Sequence, residues 1–264
     1  MGNLAGYIAS GLIGVSLGLI GGGGSIITIP VLVYLFHIEP TLATTYSLFI
    51  VGTTSLVGGV RSAFDKTVDL KSAFLLAAPS TIAVYLTRHY VIPLIPDILL
   101  TVNDFTVTRD VALMLFFAVV MIIAAVRMVR DMQNEQGVDT TPRHFVSVIF
   151  VGLLVGTVTG IVGAGGGFLI IPALVLLVGL PMKQAVGTSL IVIAISSLIG
   201  FVGDFSLVRE INFPFLLAVS FLAIGGVFFG NYLSRFIKGK SLKSGFGWFA
   251  MAMAVFVIIK ETMI

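Results

Sequence analysis

The chain carries one element twice, and in each copy consecutive glycines interrupt an apolar segment. The first copy reads GLIGGGGSIITIP, Gly18 to Pro30, and the second reads GIVGAGGGFLIIP, Gly160 to Pro172. At this offset of 142 residues, 17 of the 47 residues from Leu12 to Gly58 are identical to their partners. A glycine inside a helix costs about 1 kcal/mol relative to alanine, so the four at Gly21–Gly24 mark a break. The context is apolar: 58% of the 264 residues are hydrophobic and 10% are charged, against about 25% charged in soluble domains. Interrupted backbone in hydrocarbon must be buried in protein or line a polar cavity. A short, glycine-interrupted segment at matching places in two halves points to the substrate site of a secondary transporter.

Ten apolar segments are legible. They fall at about 4–21, 24–37, 41–60, 71–90 and 110–128, then 144–162, 166–180, 184–203, 211–235 and 244–262. Several match the ~20 residues that cross a bilayer. The predicted fold is all-α: a polytopic helical membrane protein of two inverted repeats, each a glycine-broken hairpin plus three transmembrane helices. Residues 1–130 form the first repeat, 131–143 a cytoplasmic linker and 144–264 the second repeat. Segments 24–37 and 166–180 are too short to decide between a full span and a re-entrant hairpin. Ile92–Thr108 has no counterpart in the second half and reads as an external loop or a short interfacial helix. The N-terminus reads as the first membrane segment, not a cleaved signal.

Charge sets the predicted orientation. Eleven Lys and Arg, among them Arg61, Lys66, Lys71, Lys183 and Arg235, fall in loops on one side, and four fall on the other: Arg88, Arg109, Arg209 and Lys260. The richer side is cytoplasmic by the positive-inside rule. Both termini then lie on the non-cytoplasmic side of a cytoplasmic (inner) membrane. The net charge of +3 is spread over loops and asks for no nucleic-acid partner.

The glycine turns and two hydroxyl-rich helices carry the candidate site. Glycine allows positive φ and close approach to backbone N–H groups. Each run opens a new helical segment, whose N-terminus favours an anion. Two such ends related by pseudo-symmetry make an anion site without a buried Lys or Arg. The candidates are Gly21, Gly22, Gly23, Gly24 and Ser25 in the first half, with Gly163, Gly165, Gly166 and Gly167 in the second. The third segment of each half adds hydroxyls: ATTYSL gives Thr44, Thr45, Tyr46 and Ser47, and AVGTSL gives Gly187, Thr188 and Ser189. Thr53, Thr54, Ser55, Ser196 and Ser197 follow one to two turns on. Such hydroxyls either contact substrate or bond carbonyls of their own helix. Arg61 and Asp204, at segment ends, are candidates for a vestibule or gate; the bland readings are a membrane anchor and a solvated helix-end acid. Pro30 and Pro172 end or bend the short segments. Glycines four apart (Gly14 and Gly18; Gly152, Gly156 and Gly160; Gly226 and Gly230) read as close-packing seams.

Other chemistries find little footing. No glycine run is followed by Lys-Ser or Lys-Thr, so there is no phosphate loop. No carboxylate sits deep inside an apolar run, and His37, His89 and His144 are scattered. No metal site, cofactor or enzyme is expected. Cysteine is absent.

The paired glycine turns, the prolines after them and the A-x-G-T-S-L pattern at Ala185–Leu190 resemble the TauE/SafE sulfite exporter family. The first copy departs from the pattern, with Thr45 and Tyr46 where Gly and Thr stand in the second. The resemblance covers nearly the whole chain. It implies a secondary transporter of small sulfur-containing anions: sulfite, thiosulfate or an organosulfonate such as sulfoacetate. Export by alternating access is the favoured mode. An anion channel, an uptake carrier coupled to protons or sodium, and a non-transporting scaffold subunit are the alternatives. The expected partners are the anion and the bilayer, and the small-residue seams allow a homodimer.

Overall fold

The structure is a computed structural model that describes residues 4–96, 98–102, 105–130, 145–163, 167–204, 211–237 and 239–262. The linker at 131–143 and the candidates Gly165 and Gly166 lie outside the described residues. The first half contains α1 (Leu4–Ile20), α2 (Ser25–Leu35), α3 (Pro40–Phe64), α4 (Leu70–Leu94) and α5 (Arg109–Arg130). The second contains α6 (Phe145–Val162), α7 (Gly167–Pro172), α8 (Met182–Gly203), α9 (Phe213–Ser234) and α10 (Gly239–Thr262). Among the described residues, α3, α4, α8, α9 and the stretch Arg109–Val126 of α5 are long and apolar enough to cross a membrane. Their outer faces expose Phe74, Ile82, Ile123, Phe221 and Phe229, a surface suited to lipid. This is the all-α polytopic membrane fold expected from the hydropathy.

One expectation changes. Ile92–Leu94 continues α4, and the chain then forms an antiparallel hairpin of β1 (Ile98–Val102) and β2 (Phe105–Thr108). Over Ile98–Thr108 the connection is thus a β-hairpin, not a short helix. The runs ILLTV and FTVT explain it: branched and aromatic residues favour a pleated ladder.

The helices pair in a pattern that exchange of the two halves leaves unchanged. Residue correspondence at the repeat offset relates α1 to α6, α3 to α8 and α4 to α9. α1 packs on α9, and α6 packs on α4; α3 and α8 pack on each other, as do α5 and α10. α3 and α8 run antiparallel, because Gly52 meets Leu198 while Gly59 meets Ile191.

Glycines set these contacts. A Cβ on Gly14, Gly226 or Gly230 would overlap the facing backbone of the α1–α9 pair, and one on Gly156 would overlap the Ser80 carbonyl of α4. At Gly152 it would lie 2.6 Å from Pro79 Cγ, and at Gly160 2.6 Å from Thr87 Cβ. The four-residue spacing puts these glycines on one helix face.

Candidate functional site

The hairpins repeat in detail. Gly21 and Gly163, 142 residues apart, both take left-handed backbone, with φ of 66° and 73°. This is the position that requires glycine. The second arms end with left-handed residues too: His37 has φ 55° and Gly179 has φ 81°. The closing bonds match, Ile38 N–H to the Leu32 carbonyl at 3.1 Å and Leu180 N–H to the Leu174 carbonyl at 3.0 Å. Beyond each proline the helix widens to π geometry, over Val31–Leu35 and Ala173–Val178. Proline cannot donate to the ordinary ladder, and π-bulges are frequent where helices serve function.

The break is narrower than four unwound glycines. Gly21 alone turns left-handed, and Gly21–Ile27 winds as a 3₁₀ helix. The two turns press together: a Cβ on Gly22 would overlap Gly167, and one on Gly167 would overlap Gly22. Ser25 Oγ donates to the Gly22 carbonyl at 2.7 Å. Gly22 N–H reaches Ser189 Oγ at 3.4 Å, and Ser189 Oγ donates to the Val186 carbonyl at 2.8 Å. The first turn and α8 thus meet at residues predicted for one site.

The hydroxyls divide into two kinds. Tyr46 Oη accepts from Asn212 N–H at 2.7 Å, and Thr188 Oγ1 accepts from Asp69 N–H at 2.9 Å. Asn212 and Asp69 are the N-caps of α9 and α4. Tyr46 and Thr188 occupy matching positions, so the departure from the repeat pattern keeps a tie to the next helix. Gly187 lets α8 approach the turn before α4; a Cβ there would lie 2.9 Å from the Thr67 carbonyl. Thr54 and Ser196, also matched, bond their own helices at Ile50 and Val192. Ser47, Ser55 and Ser197 are buried with no hydrogen-bond partner. Ser55 and Ser197 are again 142 apart, and both lie within the contact stretch of α3 and α8.

Arg88 is the residue the sequence did not single out. Its side chain is 1% exposed, and its Nη1 donates to Asp204 Oδ2 at 3.1 Å and to Thr44 Oγ1 at 3.0 Å. Thr45 Oγ1 donates to the same Asp204 oxygen at 2.7 Å. Asp204 is 3% exposed. Two expectations are corrected here. The protein interior holds a buried arginine, and Asp204 is a buried, paired carboxylate rather than a solvated helix end. α4 runs on past Leu86 through a π turn at Thr87–Val91, which carries Arg88 inward against Gly163.

The opposite end of the α3–α8 pair is hollow. A cavity of about 400 Å³ is lined by Thr67, Lys183, Gly187, Asn231 and Arg235 among others. Beside it, Arg61, Phe228 and Tyr232 line a second of about 260 Å³. Asp65 bridges Arg61 at 3.5 Å and Arg235 at 3.0 Å. Arg61 therefore stands at a cavity mouth, while Asp204 is buried at the other end of the pair. Among the described residues no group of His, Asp and Glu has the makings of a metal site.

A polytopic helical bundle with paired, glycine-turned broken helices and buried polar groups between them has the build of a membrane transporter. The profile of the sulfite exporter TauE/SafE family matches residues 7–257, and the chain belongs to that family. A probable membrane transporter protein of Xylella fastidiosa is 28% identical over 95% of this chain and 92% of its own length. The probable membrane transporter protein YunE of Bacillus subtilis is 30% identical over 88% of each chain. One from Haemophilus influenzae is 26% identical over 98% of this chain and 96% of its own. No solved structure matches the chain.

Proposed function

We propose that this chain is a secondary transporter of small sulfur-containing anions such as sulfite, thiosulfate or sulfoacetate. The two halves act as inverted repeats in a cytoplasmic membrane, with both termini outside. The anion is held where the glycine turns meet the hydroxyls of α3 and α8, and it crosses by alternating access. An interior-negative potential expels an anion with about 2.3 kcal/mol per charge per 100 mV, so export needs no further energy source. Family membership supports the substrate class. The basic residues at the hollow end, Arg61, Lys183 and Arg235, support its cytoplasmic placement.

The observation that carries this reading is the matched pair of buried, unpartnered hydroxyls, Ser55 and Ser197. A buried hydroxyl without a partner forfeits about 1–3 kcal/mol, and a repeat that keeps it twice keeps it for a ligand. The test is flux of sulfite, thiosulfate and sulfoacetate into or out of proteoliposomes, with chloride and lactate as controls. The S55A/S197A variant is expected to unfold at the same temperature or higher, yet to lose saturable flux at least tenfold. Unchanged flux removes these serines from the site. Absence of flux for every sulfur anion in folded native protein removes the substrate class.

A further inference from the structure

Arg88 is the largest fully buried side chain among the described residues, yet the fold satisfies just part of it. Asp204 and Thr44 both engage Nη1. Nε and Nη2 have no partner. These two atoms form one edge of the guanidinium, and their N–H bonds run side by side. That edge fits two oxygens on one carbon, sulfur or phosphorus centre, which is why arginine prevails where oxyanions are bound bidentately. The same edge packs on the backbone of the second glycine turn. Nη2 abuts Gly163 so closely that a Cβ at Gly163 would overlap it. Gly163 is the left-handed residue that opens the second glycine turn. A structural arginine would be expected to have its five N–H donors met by carbonyls or carboxylates. This one keeps a two-pronged edge without a hydrogen-bond partner, against the backbone of Gly163.

The repeat sharpens the point. At the offset of 142 residues, Arg88 corresponds to Gly230 and Asp204 to Ser62. The doubled frame therefore carries this charge once. Where Arg88 fills one end with a buried cation, Gly230 packs against the α1 backbone at the other, and its neighbour Asn231 lines the cavity there. Glycine turns and hydroxyls come in pairs, but the buried cation does not.

We propose that the Nε–Nη2 edge of Arg88 is an anion-binding station at one end of the α3–α8 pair, apart from Ser55 and Ser197, that it takes one small oxyanion, and that Asp204 is the internal counter-ion tuning its affinity. This deepens the transport reading given above and rests on it for the chemical class of the ligand. Asp204, held by Thr45, neutralises Arg88 when no anion is bound and opposes an anion that arrives. Loss of the Asp204 charge therefore strengthens anion binding, and loss of Arg88 abolishes it.

The experiment is anion-dependent thermal stabilisation of the full chain in detergent. Methanesulfonate, thiosulfate, sulfate and chloride are each titrated against gluconate at constant ionic strength. A ligand that binds the folded state alone raises its stability with concentration. D204N is expected to lower the half-maximal anion concentration at least tenfold. T45V, which keeps both charges but removes one bond to Asp204, should lower it severalfold. R88Q/D204N, which keeps a neutral hydrogen-bonded pair, should show no saturable response. T45V decides the matter if D204N does not fold. Native affinity in both D204N and T45V, or a saturable response surviving in R88Q/D204N, overturns the proposal. If D204N binds chloride as well as it binds sulfur oxyanions, Arg88 stands as the anion site while the sulfur class falls. Intact sulfite flux in R88Q/D204N proteoliposomes sinks the Arg88 assignment and leaves the transport reading in place.

Discussion

At the scale of single residues, the Arg88–Asp204 pair shows what a sequence conceals. Arg88 sits in TRHY, a stretch that reads as a helix reaching the membrane surface, and its partner is 116 residues away. No local pattern links the two; the link exists because α3, α4 and α8 pack around one point. Once formed, the pair is costly to break on one side. A buried ion left alone by removal of its partner destabilises by roughly 3–5 kcal/mol, whereas neutral replacement of both partners is often tolerated. R88M should therefore unfold at markedly lower temperature than the native chain, and R88Q/D204N should recover most of the loss; equal losses in the two would mean the charges are not coupled. The hydroxyls were visible as a set but not by role. Spacing cannot tell Ser55, which has no partner, from Thr54, which bonds Ile50, or from Thr188, whose oxygen ties down Asp69. Those roles are set by what lies across the helix interface.

At the scale of elements, periodicity did most of the work. Glycines four apart lie on one face of a helix, and that face is where α1 meets α9 and α6 meets α4. The same logic separates glycines that matter from those that do not. G226A and G230A place a methyl against the backbone of α1, while Gly11 and Gly225 have nothing within 4 Å of a built Cβ. Overpacking typically costs about 1–3 kcal/mol. G226A should lower the unfolding temperature, and G225A should leave it unchanged or raise it slightly, because alanine is the better helix former. Substitution at the two left-handed positions adds backbone strain to the clash. A non-glycine residue there costs roughly 1–2 kcal/mol, so G21A and G163A should be less stable than G225A in the same thermal assay. The π geometry after Pro30 and Pro172 was not legible. Proline announces that a ladder bond is lost, but which carbonyl the chain chooses next depends on neighbours. The β-hairpin at Ile98–Thr108 was not legible, because hydropathy alone does not separate a short apolar strand from a short helix.

At the scale of the whole molecule, the antiparallel α3–α8 pair is the axis on which the rest depends. Contacts at one end, Thr45 with Asp204, correspond at the repeat offset to Gly187 with Ser62 at the other. The pair is thus near-symmetric, and the asymmetry arises from its neighbours: α4 brings Arg88 to one end, and α9 brings Gly230 and Asn231 to the other. One end is filled by an ion pair, and the other opens into a cavity with Lys183 and Arg235 on its walls. The repeat was readable in the sequence, but which helices pair across it was not. The unequal ends were not, because they depend on two positions where the halves differ. Access can be read directly, since the chain has no cysteine of its own. S234C, in the cavity wall, should react with a membrane-impermeant maleimide added to oriented vesicles on the side that bears Arg61 and Lys183, cytoplasmic in the proposed orientation. T45C, beneath the ion pair, should resist the reagent from both sides in the absence of anion. A carrier that alternates must expose the buried Arg88–Asp204 end in its other state, so a saturating anion should raise T45C reactivity from the outer side while protecting S234C. Equal reactivity of both cysteines from one side, with or without anion, would mean a continuous pathway, and the protein would then conduct as a channel.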